Sequence, residues 1–210
     1  MRLLTVGDSF TYGEELSDLN NAWPNLVASN LGYELTNLAK PGSGNTSMIR
    51  HCIEQVDNYD LVIIAWSHYA REEFADEWGI FDIWPGCQGL LFTDKIRYRT
   101  DLIDYIARHH NNRYLYTQQL INIILLQNYL KAKQKKYVML DAFGNTTARH
   151  LNTSLDNEID STNYLGWPNK SMMEWTFRCP TGPRHHFLED GHQQVADKIN
   201  EHIGNLGGVS

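Results

Sequence analysis

A serine becomes a useful nucleophile only when a neighbouring base takes its hydroxyl proton. The residues of this chain that bear on chemistry are therefore serines at exposed turns and the histidines able to serve them. One serine stands out. In "TVGDSFTYGEEL" (Thr5 to Leu16) a short apolar run ends abruptly in Gly7-Asp8-Ser9, which puts the Ser9 hydroxyl at the end of a strand. Histidines crowd the opposite end of the chain, where "GPRHHFLEDGHQQVA" carries His185, His186 and His192 with Glu189 and Asp190 beside them. Serine, histidine and an acid are the parts of an acyl-transfer site: the imidazole relays the serine proton and the acid fixes its tautomer. Such a site also needs donors for the oxyanion. "NLAKPGSGNTS" offers glycines ahead of a helix, and "AWSHYAREE" offers Ser67, His68 and Arg71. Taken alone, Ser9 equally fits the ordinary work of a serine near a turn, which is to end a strand or cap a helix.

Four short apolar segments have strand character: Arg2 to Val6, Tyr33 to Leu38, Leu61 to Trp66 and Tyr137 to Leu140. The first, third and fourth are almost continuously apolar, as expected of strands covered on both faces. Helical spacing lies between them. "NAWPNLVASNLG" ends on Gly32, a C-cap signal; "NTSMIRHCIEQV" follows "PGSG"; further helices are predicted over 94–109, over 114–133 and across "GHQQVADKINEHIG". Alternating strands and helices predict a parallel α/β sheet with right-handed crossovers, in one domain spanning residues 1–210. In such a sheet ligands sit outside the carboxyl ends of the strands, where Ser9, the glycine-rich stretch and Ser67-His68 all fall. Two segments break the pattern, 75–93 with Trp78, Phe81, Trp84 and Phe92, and 143–184 with Tyr164, Trp167, Trp175 and Phe177; both are expected to wall a pocket.

"VGDSFTYGEEL" resembles the first signature block of the SGNH, or GDSL, hydrolases, whose nucleophilic serine stands in Gly-Asp-Ser after the first strand. "HFLEDGHQQVA" is similar to that family's C-terminal block and supplies His186, Gly191, His192 and Ala196 at matching places. The resemblance implies a three-layer α/β/α sandwich with a short, mainly parallel, flavodoxin-like sheet, with Ser9 as nucleophile and His186 as base; His192 is the rival register. It also implies an oxyanion hole from the Ser9 N–H, a glycine N–H and a third donor. Counting from Asn37 selects Gly42, whereas "GNT" resembles the family's "GDT" and selects Gly44, so both remain candidates. His68 stands where the family has asparagine. The family's aspartate, three residues before the base, is replaced by Pro183, which leaves the orienting role to a backbone carbonyl or to Asp141, Asp160, Glu189 or Asp190. "SFTYGEEL", "NLAKPGSGN" and "AWS" with "REE" are also similar to compact SGNH proteins of tailed bacteriophages.

The implied activity is ester hydrolysis, with a short acyl group such as O-acetyl on a carbohydrate or small ester as substrate. The alternatives are a relaxed binding module with the same fold and acyl transfer to an acceptor other than water. The formal net charge of −7 and the lack of a dense Lys/Arg cluster argue against nucleic acid or an anionic membrane as partner. With 42% hydrophobic and 20% charged residues the chain can bury a core. "MRLLTVGDSF" is too short an apolar stretch for a signal peptide, and three cysteines without a Cys-x-x-Cys pair fit reduced thiols, so a cytoplasmic location is expected. No cofactor is expected, nor a metal, since His185, His186, Asp190 and His192 lack compact ligand spacing.

Overall fold

The computed structural model describes residues 1–77, 79–83, 104, 107–109, 111–144 and 154–207. Its elements are β1 (Arg2–Val6), α1 (Ser9–Tyr12), α2 (Trp23–Leu31), β2 (Glu34–Asn37), α3 (Asn45–Gln55), β3 (Leu61–Trp66), β4 (Glu72–Asp76), β5 (Gly79–Ile83), α4 (Asn112–Ala132), β6 (Lys136–Asp141), β7 (Tyr164–Leu165), α5 (Met172–Thr176) and α6 (Glu189–Asn205). Strands β2-β1-β3-β6-β7 form one sheet in that order, every pair parallel. β4 and β5 make a separate antiparallel hairpin.

Side chains alternate across a strand, and here both faces are apolar. Leu4, Val6, Val62, Ile64, Tyr137 and Met139 point to one side, where Met48 and Cys52 of α3 and Leu120 and Ile123 of α4 cover them. Leu3, Leu61, Ile63, Val138 and Leu140 point to the other, against Trp23 and Val27 of α2 and Val195 and Ile199 of α6. Each aliphatic side chain so buried is worth about 1.5–3 kcal/mol, which is why runs without a polar break become the central strands. The result is the three-layer sandwich. Local signals set the ends: Gly32 closes α2 in the left-handed region at φ 66°, and Asn111 caps α4 by accepting from the Tyr114 N–H.

The four expected strands are present. The sheet gains a fifth, the two-residue β7, and the segment read as irregular from residue 75 begins inside the hairpin, at the end of β4, and continues into β5, with Phe74 and Phe81 paired across it. Residues 104 and 107–109 are helical; the rest of the expected 94–109 helix, with Trp78, Trp84 and Phe92, lies outside the described residues. Strand order reverses direction between β1 and β3, so the crevice outside their carboxyl ends is the ligand position in an open α/β sheet.

Candidate active site

β1 ends at Val6, and the chain turns at once into α1. Gly7 permits this, since a Cβ there would sit 2.1 Å from Thr11 Oγ1. Asp8 caps α1 through Oδ1, which accepts from the Phe10 N–H at 3.1 Å. Its Oδ2 reaches across the crevice and accepts from Ser67 Oγ (2.8 Å) and Arg71 Nη1 (3.2 Å). Burial pushes the Asp8 carboxyl above the usual carboxylate range, against the pull of Arg71, Ser67 and the Phe10 N–H. Asp8 thus locks the end of β1 to the end of β3.

Ser9 is the first residue of α1, where backbone N–H groups have no partner within the helix. Its Oγ is 2.8 Å from His186 Nε2. The other ring nitrogen, Nδ1, is 3.0 Å from Oε2 of Glu15. A carboxylate there can only accept, so Nδ1 carries the proton and Nε2 is an acceptor facing the Ser9 hydroxyl. The imidazole is also held by Phe10, 4.9 Å away, which packs on Phe143 and Phe187.

Glu15 comes from the loop that carries Ser9. α1 lasts four residues, closes on Gly13 at φ 89°, and returns the chain so that Glu15, itself at φ 72°, faces the C-terminal segment. Non-glycine residues seldom adopt that region, and where they do it often marks a functional site. The Glu15 carboxylate accepts the backbone N–H of Arg184 at 2.9 and 3.1 Å and that of His186 at 3.2 Å. Desolvation would raise its pKa, yet the Arg184 N–H, the His186 side chain and the His186 N–H together hold it below the ordinary 4.5. Gly182 leaves room for it, because a Cβ there would lie 2.6 Å from the carboxyl carbon. Pro183 occupies the second position of a turn closed by the His185 N–H on the Gly182 carbonyl (2.9 Å), a place suited to its fixed φ. That turn presents the two N–H groups to Glu15.

None of the four acids considered from sequence for the orienting place is the one at His186 Nδ1. Asp141 accepts from the Tyr164 hydroxyl (2.8 Å) at the end of β6. Asp160 binds Tyr137, Asn163 and Lys131; despite desolvation, those partners hold its pKa at about 2. Glu189 is 3.5 Å from Ser17 Oγ, and Asp190 is an exposed residue in the first turn of α6. The signal for Glu15 was present in "GEEL", two glutamates after a turn glycine, but nothing in the spacing tied them to a histidine 171 positions on.

His192 is placed elsewhere. It is 1% exposed, its Nδ1 accepts the Trp23 N–H at 3.1 Å at the start of α2, and Phe187 packs on its ring. Burial, with a smaller push from His186, takes its pKa from 6.5 down to about 3. The unfolded chain therefore binds a proton that the native state refuses. His192's contribution to stability is complete above pH 6.5 and is lost progressively as pH falls towards 3. Replacing His192 with glutamine should flatten that dependence: in urea titrations at pH 7 and pH 5, wild type should lose about 1–2 kcal/mol more than the variant.

Of the glycines, Gly42 adopts φ 80°. Gly44 precedes α3, and its N–H donates to Asp82 Oδ1 of the hairpin at 2.8 Å, so that donor is engaged. Asn45 clamps the end of β3, accepting the Ser67 N–H (2.9 Å) and donating to the Ser67 and His68 carbonyls. His68 Nδ1 accepts the Ala70 N–H at 3.2 Å, which puts the proton on Nε2 and makes that nitrogen a donor. His68 lines a cavity of about 540 Å³ with Phe143, Lys170, Met173 and Phe177, and Phe143 links it to Phe10 beside Ser9. Another cavity, about 460 Å³, opens at Leu61 and Lys136, the amino ends of β3 and β6, and its lining has no serine, cysteine or histidine among the described residues. Among those residues no group of three His, Cys, Asp or Glu is placed to hold a metal, and no helix is long and apolar enough to cross a membrane.

Solved structures superpose on 98% of this chain. TesA is 13% identical at a TM-score of 0.61, with 98% of this chain and 99% of that one covered. The psychrotrophic esterase EstA from Pseudoalteromonas sp. gives 13% and 0.59, covering 98% and 97%. Est2A, an acetyl xylan esterase from Butyrivibrio proteoclasticus, gives 14% and 0.54, covering 98% of this chain and 64% of that one. A neighbour from Veillonella parvula is a member of the lipolytic protein G-D-S-L family, another is the lipase/acylhydrolase from Enterococcus faecalis, and the α/β fold is that of the SGNH hydrolases. No curated protein matches the chain by sequence, and the bacteriophage likeness rests on its three stretches alone. By sequence, residues 12–210 match the model of a family described as of unknown function, DUF6071, and the chain belongs to that family.

Proposed function

We propose that the protein is a serine ester hydrolase in which Ser9 attacks the acyl carbon, His186 relays the proton to the departing alcohol, and Glu15 orients the imidazole. The observation that carries this reading is the unbroken line from Ser9 Oγ through His186 to the Glu15 carboxylate, at 2.8 and 3.0 Å. Attack transfers the hydroxyl proton to Nε2 and forms a tetrahedral oxyanion. The alcohol then leaves with that proton, and water, deprotonated by the same imidazole, releases the acid and restores Ser9. The Ser9 N–H, the Gly42 N–H and His68 Nε2–H are the donors assigned to the oxyanion, because Gly44 is spent on Asp82.

A short acyl group on a carbohydrate is the substrate class this reading favours. Support comes from the fold shared with acetyl xylan esterases and from an aromatic cavity rim, Phe143 and the 73% exposed Phe177, suited to a sugar face. The test is release of acetate from acetylated xylo-oligosaccharides and of p-nitrophenol from its acetate. Turnover of both is expected, with p-nitrophenyl palmitate at least about tenfold slower. Saturable binding of the oligosaccharide with no acetate released would instead support a binding module.

A further inference from the structure

Two carboxylates bracket the His186 ring, and only one of them is needed to orient it. Glu15 meets Nδ1, whereas Glu14 stands on the opposite side, with Oε2 3.7 Å from Nε2. The other Glu14 oxygen accepts from Arg184 Nη1 at 2.6 Å. The pair faces solvent: the side chains of Glu14 and Arg184 are 21% and 67% exposed.

Position gives this pair its meaning. Nε2 is the atom that must hand its proton to the departing alcohol oxygen, so that oxygen comes within about 3 Å of it. The carbon bearing the leaving oxygen then lies beside Glu14 Oε2, and substituents on the next carbon meet the Glu14–Arg184 pair. Glu14 supplies only acceptors and Arg184 only donors. A hydroxyl is both, so a free hydroxyl next to the acylated position can donate to Glu14 while accepting from Arg184. A phosphate or carboxylate there would be repelled by Glu14, and an ether oxygen would satisfy only Arg184.

We infer that Glu14 and Arg184 form the subsite for the departing alcohol and select esters that carry a free hydroxyl on the carbon adjacent to the acylated one, as in partly acetylated sugars. This rests on the ester-hydrolase reading above and sharpens it from carbohydrate esters in general to those with an unprotected neighbouring hydroxyl.

The experiment compares kcat/KM for two probes, a methyl xyloside mono-O-acetate with its neighbouring hydroxyl free and the same acetate with that hydroxyl O-methylated, with p-nitrophenyl acetate reporting on the triad. Wild type is expected to prefer the free hydroxyl by about tenfold or more, the size of a hydrogen bond to a charged group. Glu14→Ala should bring the two probes within about twofold, mainly through KM, and Glu14→Gln should restore part of the preference because its carbonyl still accepts. Both probes are read on one sample, so the ratio is independent of the folded fraction. Wild type that cleaves p-nitrophenyl acetate yet shows no preference, or Glu14→Ala that keeps the wild-type ratio, overturns the subsite and leaves the hydrolase reading standing. Wild type that cleaves none of the three overturns both.

Discussion

Ser9→Ala is expected to lower kcat on p-nitrophenyl acetate by at least about a thousandfold, the scale on which an activated nucleophile is lost. The size follows from the local geometry. Ser9 is 4% exposed and its Oγ is already 2.8 Å from His186 Nε2, a contact that the variant abolishes. His186→Ala should cost a similar factor, and the double variant little more than either alone, because the two side chains act as one unit. Additive losses would mean that the hydroxyl and the imidazole work independently. The alanine at position 9 removes one oxygen from a side chain that does not cap the helix, since Asp8 does that, so thermal stability should change little.

Glu15→Gln is the second large effect, and it tests where the acid of this site comes from. The amide keeps the shape but loses the charge: the oxygen at Nδ1 also accepts the Arg184 and His186 N–H groups, so the amide carbonyl must take that place and can hold the ring without stabilising an imidazolium. A fall of about a hundred- to ten-thousandfold in kcat with KM little changed is the expected result. A merely structural role for Glu15 would move the thermal midpoint instead. Glu15→Asp separates the two further: aspartate tolerates the left-handed backbone at φ 72° better than glutamate, yet falls short of Nδ1 by a methylene. It should remain folded and lose activity. Because the folded-state pKa of Glu15 lies below its ordinary 4.5, the charged form and its stabilising contacts persist throughout the neutral range and are lost only as pH falls through the folded value.

Much of the scaffold could be read from the chain because its signals are local. β1 and β3 are continuous apolar runs, and only a strand covered on both faces tolerates that. Gly32 ends α2 because the left-handed turn needs it, and a glycine after an amphipathic stretch states as much. β7 was not legible, since two residues hold no periodicity, and neither was the β4–β5 hairpin, whose strands carry Glu72, Glu73, Asp76 and Asp82 in place of an apolar run. Some of those charges are in fact fasteners: Glu73 pairs with Arg50 at 2.6 Å and Asp82 with the Gly44 N–H.

The site divides along the same line. Ser9 and His186 stand in contiguous blocks, which makes them candidates from sequence, and the anomaly at Pro183 is legible there too. The carboxylate beside His186 Nδ1 is not legible, because Glu15 reaches His186 only through a left-handed residue and a distant turn, neither of which has a spacing rule. His192 is the converse case. It heads a helix beside an acid, as a base would, and only burial against Trp23 and Phe187 assigns it to the core.

Activation of Ser9 by His186, held by Glu15, is read out by covalent labelling. A fluorophosphonate reacts with an activated serine and leaves a mass increment on its peptide. The account predicts a single adduct on Ser9 in the wild-type protein, formed at least about a hundredfold more slowly in His186→Ala and in Glu15→Gln. An adduct on another residue, or labelling of Ser9 at the same rate in the His186→Ala protein, would contradict it.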